Sequence, residues 1–140
     1  MSAALFSFFG IIVGALLQYY FTKHLDGQRH HRDMRTKAYT DYLKCVSEQA
    51  NLGVQRQSRE GRELGSKTAD AKCRVCLYGS SSAITRFAEF EKLGAAMGTQ
   101  DQRTTFTRMV DVMRNDSSSG GQVELKDLEA VLLGVRHHAT

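Results

Sequence analysis

The chain has 140 residues, 41% hydrophobic and 24% charged, with a formal net charge of +4, three cysteines and no proline. That is one domain's worth of chain, with room for a modest core, and an odd cysteine count does not read as a disulfide framework. It contains no P-loop, G-x-S-x-G, H-E-x-x-H or dinucleotide fingerprint, so an enzyme is not expected, and no cofactor or metal site is assigned.

The first element is ALFSFFGIIVGALLQYYF. Residues 3–21 contain no Asp, Glu, Lys or Arg, and a helix of that length is about 28 Å long, close to the ~30 Å hydrocarbon core of a bilayer. Ser7 and Gln18 are its only clearly polar side chains. Tyr19 and Tyr20 fall where an interfacial aromatic belt sits. A cleaved signal would have a basic start and a small-residue cleavage site. Here nothing basic precedes Leu5, and bulky Gln-Tyr-Tyr-Phe follows Leu17. The stretch predicts a retained membrane span.

Within it Ala3, Ser7, Gly10, Gly14 and Leu17 follow a four-three-four-three spacing and share one helix face. Gly10 and Gly14 form a GxxxG. Lipid provides no hydrophobic force between helices, so close backbone approach over glycine is a main source of association. Ser7, Gly10, Gly14 and Gln18 are the predicted self-association residues, with Gln18 placed to add an interhelical hydrogen bond.

Lys23, Arg29, Arg32, Arg35 and Lys37 follow the span, against Asp26 and Asp33. Basic residues close to one end of a span mark its cytoplasmic side, which predicts a single-pass protein of the inner (cytoplasmic) membrane, N-out and C-in. The same five residues are expected to meet anionic lipid headgroups. A nucleic-acid interface would need aromatics interleaved with the basic patch; Tyr39 and Tyr42 fit a helix core better, so nucleic acid is not an expected partner.

The periodicities beyond the collar are helical. Tyr39, Tyr42, Leu43, Val46 and Ala50 line one face, in a helix that ends near Gly53 and continues from the span with Gly27 as a soft point. Gly61 and Gly65 mark a loop. Val75, Cys76, Gly79, Ala83, Phe87 and Phe90 line a second helix over 69–96, which the Gly79-Ser-Ser-Ser stretch is placed to break. Thr99 and Gln102 read as a capping box, ahead of a stripe of Phe106, Met109, Val110 and Met113. NDSSSGG is a loop on turn chemistry. Leu125, Leu128, Val131, Leu132 and Val135 line the last helix.

The predicted fold class is all-α, with an N-terminal transmembrane helix followed by a cytoplasmic up-and-down four-helix bundle. The predicted divisions are 1–22 as the anchor, 23–37 as the basic juxtamembrane segment and 38–136 as the bundle. Its expected core is Tyr39, Leu43, Val46, Phe87, Phe90, Phe106, Val110, Leu128 and Leu132.

Other motifs have plainer readings. CRVC, Cys73 to Cys76, has metal or redox spacing but lacks a second ligand pair and a preceding strand, so its cysteines read as ordinary helix residues. HRD at 31–33 lacks every other part of a kinase. His137 and His138 read as solvated tail. DSSSGGQVELKD is similar in layout to an EF-hand loop, with Asp116 at its first position, Gly121 at the sixth and Asp127 at the twelfth. That resemblance implies calcium, but Ser118 and Gly120 replace ligands and Asp127 is shorter than the bidentate glutamate. The expectation is a helix connection.

The apolar anchor, the basic collar and RTKAYTDYLKCV resemble uncharacterised bacterial and phage single-pass proteins with helical cytoplasmic domains. The likeness is architectural and carries no activity. The expected function is a non-enzymatic, membrane-anchored homo-oligomer. Its bundle would serve as an interaction or adaptor module for an unidentified protein partner, with the lipid bilayer as the other partner. The alternative is a membrane-active effector, pore-forming or bilayer-perturbing. A pore wants polar residues along a whole face of the span, and only Ser7 and Gln18 are available.

Overall fold

A computed structural model of the chain describes residues 2–52, 58–118 and 120–134. It holds five helices: α1 (Ser2–Leu52), α2 (Arg59–Tyr78), α3 (Ser81–Lys92), α4 (Gln100–Ser117) and α5 (Leu125–Leu133). No strand occurs among the described residues, as the periodicities required. The chain divides into two compact units, Met1–Asp33 and Met34–Thr140.

The first unit is helix alone. Every described side chain up to Asp33 is exposed, and the helix is long and apolar enough to cross a membrane. It runs through Gly27 without a break, so the expected soft point is absent. Without proline, nothing interrupts the backbone ladder.

The second unit begins with the carboxy-terminal part of α1, whose buried face is Ala38, Tyr39, Tyr42 and Cys45. Leu43 and Val46 pack against that core while staying partly exposed. Leu64, Thr68, Ala71 and Val75 are the buried stripe of α2, spaced by four, three and four as one helix face requires. Gly61 and Gly65 sit inside α2, which overturns the loop expected there. The helix starts before them because Ser58 caps it, its side chain accepting from the Gly61 N–H at 3.0 Å.

Gly79-Ser80 breaks the second expected helix into α2 and α3. Gly79 turns extended (ψ 154°) after its N–H closes α2 on the Val75 carbonyl. Ser80 then caps α3, accepting from the Ala83 N–H. A Cβ at Gly79 would lie within hard-contact distance of the Val75 carbonyl oxygen, so this is a position that needs glycine. At its other end α3 closes with a Schellman pattern, Ala95 N–H to Phe90 O and Gly94 N–H to Glu91 O. Gly94 adopts φ +92° there.

The Thr99–Gln102 capping box is formed as expected. Phe106, Met109, Val110 and Met113 are all buried on α4. Phe90 meets Phe106 with ring centroids 5.3 Å apart, and Tyr42 meets Phe87 at 4.6 Å; tilted rings at these distances are favourable. The expected loop NDSSSGG starts late, since Asn115, Asp116 and Ser117 still belong to α4.

α5 packs against α4 but not through the residues expected. Leu132 is 41% exposed and Leu128 half-buried, whereas Glu129 is 6% exposed. The glutamate turns inward because the amino-terminal end of α4 supplies a donor, Gln100 Nε2, 3.0 Å from its Oε1. Val135 lies outside the described residues.

Candidate functional site

The predicted self-association residues are brought to one side of α1. At 3.6 residues per turn Ser7, Gly10, Gly14 and Gln18 fall within an arc of about 80°. A Cβ built at Gly10 or Gly14 meets no atom of the chain within 4 Å. Neither glycine is therefore demanded by packing within the chain, and the two leave a backbone groove one turn long. Around them the large side chains from Leu5 to Leu25 range from 42% exposed at Ile12 and Val13 to 79% at Phe6.

The basic residues separate into two groups. Lys23, Arg29 and Arg32 are exposed on the first unit, and Lys37 is exposed on the second. Arg35 is half-buried, and its Nε donates to the Tyr78 carbonyl at 2.8 Å. That bond satisfies a carbonyl in the last turn of α2 and ties α1 to it. Arg35 is a structural cation.

A polar hub that periodicity did not reveal lies nearby. Tyr39 Oη donates to Asp116 Oδ2 at 2.7 Å, Ser80 Oγ donates to the same oxygen, and the Ser80 N–H donates to Tyr39 Oη at 3.0 Å. Three elements meet here: α1, the α2–α3 break and the end of α4. Burial pushes the Tyr39 phenol above its usual 10.0, and the hydrogen bond to Asp116 pushes it further. Asp116, the first position of the EF-hand-like stretch, thus spends a carboxylate oxygen on the fold from within a helix.

A cleft of about 570 Å³ opens between α1, α2 and the end of α3, lined among others by Tyr42, Gln49, Gly65, Thr68, Lys72 and Glu91. Its polar groups largely answer one another. Gln49 Nε2 donates to Thr68 Oγ1 at 3.0 Å, and Thr68 Oγ1 donates to the Leu64 carbonyl at 2.8 Å. Lys72 Nζ lies 2.8 Å from Glu91 Oε1, an ion pair by distance in which hydrogen-bond angles are not met. The Tyr42 phenol is raised above its usual value, chiefly by burial and then by Glu91. Elsewhere on α2, Arg74 bridges Asp41 of α1 and Asp70 of its own helix. Its Asp41 hydrogen bond is the main reason the guanidinium pKa is raised. The Gln49–Thr68 and Arg74–Asp41 contacts join α1 to α2.

Cys45 is buried, whereas Cys73 and Cys76 are exposed on α2. Among the described residues no three His, Cys, Asp or Glu side chains are grouped to hold a metal. His137 and His138 lie outside those residues. Of the unexpected features, the Gln100–Glu129 bond and the Asp116 hub had no sequence signal. Ser80 had one, as a cap candidate directly after a glycine.

No known protein family matches the chain, no characterised protein is detectably similar to it, and no solved structure resembles it.

Proposed function

We propose that this chain is a non-enzymatic, single-pass protein of the inner membrane, N-out and C-in, that self-associates through its span and carries a cytoplasmic interaction module. One observation carries the reading: thirteen large apolar or aromatic side chains from Leu5 to Leu25 are exposed on α1. A soluble monomer's largest apolar patch is ~300–600 Å², and a handful of these side chains exceeds that. Lipid is the covering that suits such a helix, since its backbone groups are satisfied internally and its apolar surface extends all round.

In that setting Lys23 emerges at the headgroups. Arg29 and Arg32 follow about 9 and 13 Å further along the helix, a distance at which attraction to anionic lipid is already fading against a Debye length of ~8 Å. Lys23 is the main headgroup contact, Arg29 and Arg32 add longer-range attraction, and Arg35 serves the fold. The part beyond the collar acts as an up-and-down helical bundle, with α2 and α3 together taking the place of its second helix. Its buried ring contacts, together with helix caps and part-exposed ion pairs, suit a rigid platform for a protein partner.

Membrane fractionation tests the reading. The full chain is expected to resist carbonate extraction, keep its amino terminus uncleaved, and have its carboxy terminus protected from protease in intact spheroplasts. Recovery in the soluble fraction, or a processed amino terminus, would overturn it.

A further inference from the structure

The cleft between α1, α2 and the end of α3 is walled in a way that packing alone does not explain. At about 570 Å³ it falls within the ~300–1,000 Å³ of ligand clefts. Its α2 wall includes Gly61, Gly65, Thr68 and Lys72, at four-three-four spacing within an arc of about 60°. Its α1 wall repeats the four-three spacing with Tyr42, Val46 and Gln49. Glycine weakens a helix relative to alanine, and both glycines of α2 fall on this one face. A Cβ at Gly65 would meet nothing within 4 Å. The glycines open a trough that their own helix could have filled with side chains.

The floor of the trough carries a second, independent feature. Glu91 Oε1 is buried and lacks a hydrogen bond of acceptable geometry, although Lys72 Nζ lies 2.8 Å away. A buried carboxylate oxygen in that state calls for an N–H or O–H donor. An ammonium has three N–H donors, so Lys72 can hold Glu91 and also meet a carbonyl. Gln49 spends its Nε2 on Thr68, so what it adds is a carbonyl acceptor. A second cation at this ion pair would meet Lys72, and an anion would meet Glu91. The complementary group is therefore uncharged and carries both a donor and an acceptor, as a main-chain amide does. Tyr42 is 1% exposed and offers no open ring face on which a base could stack.

Length points the same way. From Gly61 to Lys72 the wall runs about 16–17 Å along α2, the reach of about five residues of extended chain at ~3.3 Å each. A wall of glycine also lets another backbone approach closely. We infer that this trough is where the cytoplasmic module takes its protein partner, as an extended main-chain segment of about five residues. The inference rests on the interaction-module reading. Val46, Leu64 and Ala95 supply apolar contacts for the side chains of the segment. Arg62, exposed at the Gly61 end, favours an acidic side chain at one end of it.

The test uses the full chain in detergent and a positional-scanning library of labelled, N-acetylated, C-amidated pentapeptides, with binding read by fluorescence anisotropy. Expected is saturable binding that favours an acidic residue at one terminal position. Gly65→Leu puts a side chain into the trough where nothing of the chain stands in its way, so binding is lost while the urea midpoint does not fall. Lys72→Met, and an ester in place of the central amide of the best peptide, each weaken binding about tenfold, the worth of one hydrogen bond to a charged group. Lys67, exposed elsewhere on α2, serves as the control: Lys67→Met leaves binding unchanged. Absence of binding by every pool, equal binding by Gly65→Leu, or an ester that binds as well as the amide overturns the inference. Membrane fractionation of the same chain lets the two readings fail separately. A chain retained in the membrane that binds no pentapeptide keeps its anchor and loses this site. A chain recovered as soluble whose binding is lost in Gly65→Leu keeps the site and loses the anchor.

Discussion

Tyr39 and Asp116, 77 positions apart, are joined by a hydrogen bond of 2.7 Å from phenol to carboxylate. The bond fastens the end of α4 to α1 next to the α2–α3 break, because the same phenolic oxygen accepts the Ser80 N–H. Replacing Tyr39 with phenylalanine leaves that N–H and one carboxylate site without their partner, at a cost of roughly 1–3 kcal/mol. Urea unfolding of the full chain in detergent, followed by circular dichroism, measures it. A loss below a few tenths of a kcal/mol would mean water replaces the phenol freely.

The same phenol gives the protein a pH limit. Tyr39 and Tyr42 both have pKa values raised above 10.0 by burial first, then by Asp116 and Glu91 respectively. A folded-state pKa above the unfolded one means that the folded chain holds the proton more tightly. The contribution is complete below pH 10 and is lost as pH rises through the folded values. Unfolding midpoints are therefore expected to fall from about pH 10 upward, and Tyr39→Phe is expected to flatten part of that fall. An unchanged slope in the variant would remove Tyr39 as a source.

Two glycines should respond to alanine in opposite directions. At Gly79 the added methyl meets the Val75 carbonyl oxygen, a backbone atom that cannot turn aside. Overpacking of this kind costs about 1–3 kcal/mol. At Gly65, in the interior of α2, a Cβ meets nothing within 4 Å. Alanine there is expected to stabilise by roughly 0.5–1 kcal/mol through helix propensity. Equal effects at the two sites would contradict the placement of the α2–α3 break.

The core makes a similar contrast. Phe106 is 6% exposed and packs its ring, tilted, against Phe90, so Phe106→Ala should cost about 3–5 kcal/mol. Leu132 is 41% exposed, and its truncation should cost under about 1 kcal/mol by the area it removes from water. A large effect at Leu132 would show that something covers α5 in the native particle.

These contrasts show where the sequence was readable. Helical periodicity found Tyr39, Phe87, Phe90, Phe106 and Val110, because apolar side chains on one face have one place to go. It misjudged Leu132, because a short helix with leucine on several sides gives no unique stripe, and Glu129 turned inward to meet a donor on α4, Gln100. Gly61 and Gly65 misled in the other direction. Glycine lowers helix propensity by about 1 kcal/mol, but a capped start at Ser58 and the buried stripe from Leu64 to Val75 outweigh it. The Asp116 hub left no trace in the local pattern, since its members come from three distant segments. The face formed by Ser7, Gly10, Gly14 and Gln18 followed directly from spacing, because an unbroken helix turns sequence separation into angle.

That face supplies the most discriminating experiment on function. Gly10 and Gly14 are one turn apart, and their missing side chains form a groove open to another backbone. Replacing both with isoleucine keeps the span apolar, so insertion should survive while close approach is lost. The particle in detergent is then expected to fall to a smaller species, with membrane fractionation unchanged and no difference in ion leakage between wild type and variant. If instead the wild type depolarises cells and the double variant does not, the span itself is the effector and the adaptor reading fails. If mass and leakage are both unchanged, the glycines face lipid and α1 anchors without assembling. Gln18→Leu separates the remaining contributions. Where a glutamine hydrogen bond across the pair adds to the groove, its loss should weaken association by about 0.6 kcal/mol, a typical interhelical bond in a bilayer. An effect confined to Gln18, with none at the glycines, would assign assembly to the polar contact instead.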